Sequence, residues 1–183
     1  MATAVNTSQK ESSSTPENVL RELSGSEAMT HALGQGGFAQ VAYTFHLEFD
    51  SQDAKQQLPH KLQLCLKILM KRHPLLRACV RQQPQSQPPR FFFCELQPTA
   101  DGDVTPELTT DLSSDWQQVM TSLVAQTFKH DEERPLWSVV YMPNVTSPFQ
   151  HSDQKNRLTA ALIMRICHAT SDAQCESKLK YYC

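Results

Sequence analysis

Two apolar runs near the end of the chain constrain its fold more than anything else in it. Leu136–Met142 is apolar at nearly every position, and Leu158–Cys167 is broken only by Thr159 and Arg165. A strand with one wet face alternates in polarity. A continuous run of this length is what a strand covered on both faces requires. The pair therefore predicts a sheet with helices packed on it. At 183 residues the chain has room for one domain.

The rest of the pattern supplies the other layers. Val41, Tyr43, Phe45, Leu47 and Phe49 alternate with Ala42, Thr44, His46 and Glu48, a strand with one apolar face and one on which His46 is solvated. Leu58, Leu62, Leu66 and Leu69 recur at helical spacing, with Cys65 and Met70 alongside and Pro59 suited to a first turn. Lys61, Lys67 and Lys71 fall largely on the other side and read as a wet helix face. Pro74 stops this helix. Leu75–Arg81 then reads as a strand, 82–90 as a Pro/Gln loop and Phe91–Leu96 as the return strand of a hairpin. Residues 98–113 read as polar connection. Ser114-Asp-Trp-Gln117 is a capping box opening a helix with Trp116, Val119, Met120, Leu123 and Phe128 on one stripe. Ser171-Asp-Ala-Gln174 is a second box, predicting a helix after the last strand. Near the start, Val19–Leu23 is a short apolar stretch, and Ser24–Leu33 reads as a brief helix ending at the Gly34–Gly37 turn. The fold class expected is α/β (α+β), a two-layer sandwich with a mixed sheet. Residues 1–16 have almost nothing to bury and are expected to be a disordered lead to a domain over 17–183.

Several function classes drop out. Lys and Arg number 17 against 19 Asp and Glu, so the chain lacks the basic excess of a nucleic-acid binder. Gly34-Gln-Gly36-Gly37-Phe-Ala39 matches G-x-G-x-x-A, but it precedes a strand instead of following one, the wrong context for a dinucleotide. No GxxxxGK[ST] occurs. The longest apolar run, Ala160–Met164, is far short of a membrane span, and residues 1–16 hold no secretory pattern, so a cytoplasmic location is expected. The six cysteines show no CxxC and no zinc-ligand spacing, so free thiols and no metal are expected.

Reactive side chains coincide with a structural junction at Arg165-Ile-Cys-His168-Ala-Thr-Ser-Asp172-Ala173. His168 is the first polar group beyond a buried strand, where many α/β sites lie. The positive end of a following helix would favour its neutral form, as a general base near pH 7 requires. On spacing alone the bland reading is favoured: a satisfied histidine at a strand end, with Asp172 supporting a helix start. Cys167 and His168 are adjacent on a strand and point to opposite faces, so they cannot share a proton as a nucleophilic pair.

Three ordered segments change that weighing. Arg21-Glu-Leu-Ser-Gly-Ser-Glu27 with its helix, Lys71-Arg-His-Pro-Leu-Leu-Arg77 after a long helix, and Ile166-Cys-His-Ala-Thr-Ser-Asp-Ala173 resemble the opening motif, the R-H-x-x-L-R element and the H-H-x-x-x-D-G signature of one family. Glu133-Arg-Pro-Leu-Trp137 is similar to the segment before its last strand. The family is the condensation-domain and alcohol acetyltransferase branch of the chloramphenicol acetyltransferase-like, CoA-dependent acyltransferases, and the likeness covers its N-terminal half. The resemblance implies acyl transfer from a CoA or phosphopantetheine thioester, as co-substrate and not bound cofactor, to a small-molecule alcohol or amine. It gives His168 the role of general base, and it makes Asp172 and Arg77 an ion pair supporting the catalytic loop. Cys167 stands where the first histidine would be, and Ala173 where the glycine would be. The partner side of the site would come from a second half-domain or from a homo-oligomer, as in the chloramphenicol acetyltransferase trimer. Arg165 then either reaches an edge or lines that interface. The competing expectation is a truncated, non-catalytic isoform or interaction protein that keeps the half-fold.

Overall fold

The computed structural model describes residues 18–35, 40–83, 86–98, 104, 107–128, 134–146 and 158–170. The expected disordered lead over 1–16 lies outside them. So do the helix expected after Ser171 and, with it, Asp172 and Ala173.

The two apolar runs are neighbouring strands, as their pattern predicts. β6 (Trp137–Met142) and β7 (Leu158–Cys167) pair antiparallel, and all six residues of β6 are buried. The alternating segment, β2 (Gln40–Phe49), pairs with β7 along its whole length. A short strand, β5 (Leu108–Thr110), adds to the far edge parallel to β6, giving the order β2-β7-β6-β5. This strand falls in the segment read as polar connection. Its three residues are too few to show a period, and its pairing is set by β6. A second sheet, in the order β1-β4-β3, joins β1 (Val19–Glu22) to the hairpin of β3 (Ala78–Gln82) and β4 (Phe91–Glu95), all antiparallel.

The four-stranded sheet carries a helix on each face. α2 (Gln52–Arg72) lies on the side of Trp137, Val139 and Ile166, against which Leu66 and Met70 pack. α3 (Trp116–Ala125) lies on the side of Val140, Met142, Ala161 and Ile163, covered by Trp116, Val119, Met120 and Leu123. Phe128 leaves that stripe and packs against a third cluster, the one under the smaller sheet. His46 is half-buried, with its ring edge-on to Trp116 at 5.1 Å, so it is not the solvated residue that alternation implies. Its face of β2 is the one that α3 covers, and burial pushes its pKa down.

The helix boundaries correct the sequence reading in three places. α2 begins at Gln52, where the Ser51 hydroxyl accepts from the Ala54 N–H, so Pro59 lies inside the helix and not in its first turn. An interior proline cannot donate to the carbonyl four residues back. That carbonyl is Lys55, and the Tyr141 hydroxyl donates to it instead at 3.1 Å. The sheet thus repairs the helix. α3 is capped by Asp115, accepting from the Gln118 N–H at 3.0 Å, one residue later than the Ser114 box suggests. The aspartate has the stronger acceptor one position closer to the helix. Pro74–Arg77 forms a 3-10 turn, so β3 starts only at Ala78.

α1 (Gly25–Gln35) outlasts its expected end by two residues. Ser24 and Glu27 form a reciprocal cap: the Ser24 N–H donates to Glu27 Oε2 at 2.7 Å, and the Glu27 N–H donates to Ser24 Oγ. Among the described cysteines, Cys65 is exposed and Cys79, Cys94 and Cys167 are buried, and all four are free thiols.

Candidate functional site

β7 ends at Cys167, and a 3-10 turn, His168–Thr170, follows at once. The sequence dictates this stop. Cys167 and Ala169 are small and apolar and bury in one cluster with Leu23, Ala78, Val80, Phe93 and Leu136, leaving the imidazole between them to face outward. His168 is accordingly exposed. The Cys167 N–H donates to Leu136 O at 2.8 Å, and the Thr170 hydroxyl donates back to Cys167 O at 2.7 Å. Both fix the backbone on either side of the histidine. No described residue hydrogen-bonds its ring. Burial pushes the Cys167 thiol up, which keeps it protonated and inert as a nucleophile.

α1 packs against this turn, and α1 is itself held by charge. Arg21 donates from both terminal nitrogens to Glu27, at 2.7 and 2.6 Å. The guanidinium, helped by the Ser24 N–H, holds the Glu27 carboxyl at about 2. Sequence reasoning passed over this anchor, although Ser24-Gly-Ser-Glu27 carries the S-x-x-E signature that finds it.

Arg77 sits at the end of the 3-10 turn that joins α2 to β3. Its Nε pairs with Glu95, and its Nη1 donates to the carbonyls of Met70 and Lys71, the last turn of α2. Glu95 had no signal in the sequence. It comes into reach because the β3–β4 register sets Ala78 opposite it, and a hairpin's register is not readable from two apolar runs. Asp172, the partner expected for Arg77, lies outside the described residues. What ties the Arg77 turn to β7 is Trp137, whose indole N–H donates to Leu76 O at 2.6 Å while its backbone pairs opposite Ile166.

Arg165 does not reach a sheet edge, because β7 lies between β2 and β6. It is buried, donates from Nη1 to the carbonyls of Leu123 and Gln126, and stacks its guanidinium 4.1 Å from the Phe128 ring centre. α3 has no basic residue in its last turn, so the sheet supplies the cation that its carbonyl end lacks.

A cleft of about 460 Å³ opens beside that helix end, bounded by Phe128, Arg134, Leu136 and Arg165. A smaller cavity of about 180 Å³ lies at the end of α2. His168 lines neither. Among the described residues no three His, Cys, Asp or Glu side chains gather as metal ligands. No described helix is long and apolar enough to cross a membrane.

No family model matches the sequence, and no curated protein matches it. Solved structures do. The starter condensation domain of rhizomide synthetase RzmA superposes with a TM-score of 0.52 at 13% identity, over 84% of this chain and 35% of that one. Trichothecene 15-O-acetyltransferase TRI3 from Fusarium sporotrichioides gives 0.55 at 12% identity, over 84% and 31%. The complex of the X-domain and OxyB from teicoplanin biosynthesis gives 0.51 at 13% identity, over 84% and 29%. The chain thus spans about a third of the length of the structures it resembles. It has the fold of condensation domains and of an acetyltransferase, in agreement with the resemblance carried by its three motifs.

Proposed function

We propose that this fold serves acyl transfer from a CoA or phosphopantetheine thioester to a hydroxyl or amine, with His168 as general base. One observation supports the reading above the others. The single histidine of the H-x-x-x-D motif is the exposed residue of a turn whose two flanking residues are buried. Its backbone is immobilised while its ring stays accessible, which is what a proton-accepting side chain needs.

In this reading His168 takes the acceptor's proton as its oxygen or nitrogen attacks the thioester carbonyl. The C–S bond breaks as the new ester or amide forms, and the imidazolium returns its proton to the departing thiolate. No covalent enzyme intermediate is required. Arg77, which serves Glu95 and α2 through Nε and Nη1, would brace Asp172 through Nη2. Losing one partner of such a pair would shift the loop and lower the rate, without removing the base.

The test is thiol release from acetyl-CoA with a panel of alcohols and amines. Release that needs an acceptor and falls about 10²- to 10⁴-fold in His168→Ala supports the proposal. Equal release from both proteins would overturn it, and release without any acceptor would indicate a thioester hydrolase. A second reading is a non-catalytic interaction protein on the same fold. It predicts no release from either protein.

A further inference from the structure

We propose that the outward face of α2 docks an acidic amphipathic helix of a partner protein. Leu66 and Met70 point from this helix into the sheet. On the side turned away, Leu64 and Ile68 are 50% and 53% exposed, and Leu69 at 43% and the exposed Cys65 widen the patch. Apolar side chains scattered singly over a surface are ordinary, but these four adjoin one another along one turn of helix. Their half-exposed area is removed from water only when something apolar covers it.

Spacing and charge point to the cover. Lys61, Leu64, Ile68 and Arg72 recur at intervals of three and four, the rhythm by which one helix seats against another. The apolar pair is thus closed at each end by a cation, and both cations are exposed. The whole helix carries Lys55, Lys61, Lys67, Lys71 and Arg72 against a single carboxylate, Asp53, in its first turn. The ion pairs of the described residues involve neither Lys61 nor Arg72.

This charge argues against a second copy of the chain as the occupant. An antiparallel pair that seats Leu64 on Ile68 brings Lys61 close to Arg72, and a parallel pair sets each cation against itself. Like charges facing each other across an interface cost affinity. A lipid surface would accept the cations, but the broad apolar stripe that insertion requires is the one α2 already buries on the sheet. A partner helix with its own apolar pair, bracketed by Asp or Glu, satisfies both features at once.

Acyl transfer plays no part in this docking. The experiment is fluorescence anisotropy of the full chain with two labelled peptides of about 18 residues, long enough to populate a helix. Both carry leucines at i and i+4; one flanks them with glutamates and the other with lysines. The acidic peptide is expected to bind about tenfold more tightly than the basic one, and to weaken as salt rises. Leu64→Gln/Ile68→Gln should abolish its binding, and Lys61→Glu/Arg72→Glu should reverse the preference between the peptides. All four positions are exposed, and circular dichroism checks that each variant folds. Equal affinity for the two peptides, no binding of either, or a preference that survives the charge reversal overturns the proposal. So does cosedimentation with phosphatidylserine vesicles, or a dimer in analytical ultracentrifugation, that Leu64→Gln/Ile68→Gln removes, because these assign the face to lipid or to a second copy.

Discussion

In the four-stranded sheet every residue of β6 is buried between two helices, while the three-stranded sheet is gripped at its margins by ion pairs. Arg21 holds Glu27, Arg90 holds Glu22, and Arg77 holds Glu95. Two of these guanidiniums also lie over rings, Arg21 over Phe93 at 4.9 Å and Arg90 over Phe92 at 5.4 Å. The larger sheet's buried cation, Arg165, donates to helix carbonyls and lies over the Phe128 ring. Apolar burial is indifferent to pH and salt, whereas partly exposed ion pairs respond to both. The difference bears on the proposed function because His168, the base in that proposal, stands at the seam. Cys167, the last residue of the larger sheet, is packed into the smaller sheet's cluster.

The largest effects should come from the cores themselves. Phe93→Ala, at a fully buried ring of the smaller sheet, is expected to cost about 3–5 kcal/mol, and Ile163→Ala in the larger sheet about 2–5 kcal/mol. Urea unfolding measures both. Next comes Arg165→Met, which keeps the length of the side chain but removes the cationic donor shared by the Leu123 and Gln126 carbonyls, leaving them the Gln126 N–H and the Gln40 side-chain amide. About 2–3 kcal/mol should be lost, seen as a lower melting temperature. A loss near zero would mean that α3 needs no cation from the sheet.

Arg21→Ala should cost about 1 kcal/mol at neutral pH, since it removes an exposed clamp on α1. The sign of its pH dependence follows from Glu27, whose carboxyl is held at about 2 against an ordinary 4.5. A depressed carboxyl stabilises the fold above pH 4.5 and loses that effect as the pH falls through about 2. The gap between wild type and variant should therefore close across that interval. A penalty that persists at pH 2 would break the contrast between the sheets. Tyr141→Phe, which strands the Lys55 carbonyl, is expected to cost about 1 kcal/mol at any pH. The smallest effect should be at His46, where burial lowers the pKa below 6.5. The stabilisation from its neutral ring is complete above 6.5 and declines on acidification, so His46→Phe should flatten the stability curve just below that value. The larger sheet thus has its own, higher acid window.

The elements that sequence made legible are those whose burial is complete or cleanly periodic. β6 and β7 are apolar throughout because both faces are covered, and β2 alternates because its two faces meet different partners. β5 was not legible, since three residues at an edge take their conformation from a neighbour. The start of α2 was misread for a related reason: Pro59 argues for a helix beginning, and only Tyr141, far along the chain, supplies the donor that lets the helix run through it. At the candidate site, His168 was legible as the first polar residue after a buried strand, and its exposure agrees with that reading. Arg77 was legible by motif, but its bond to Glu95 depends on hairpin register. Arg165 looked anomalous because its reason for being buried lies in α3, 42 residues away in sequence.

The proline inside α2 has a mechanical consequence. Tyr141 fastens the helix at Lys55, and Arg77 fastens it again at Met70 and Lys71. At 1.5 Å per residue those anchors are about 24 Å apart. A rod pinned at both ends can neither slide along the sheet nor turn about its own axis without releasing one fastening. The outward face between the two fastenings, where Leu64 and Ile68 lie, is therefore held in place partly by a phenol of the sheet beneath, and loosening that phenol should be felt there.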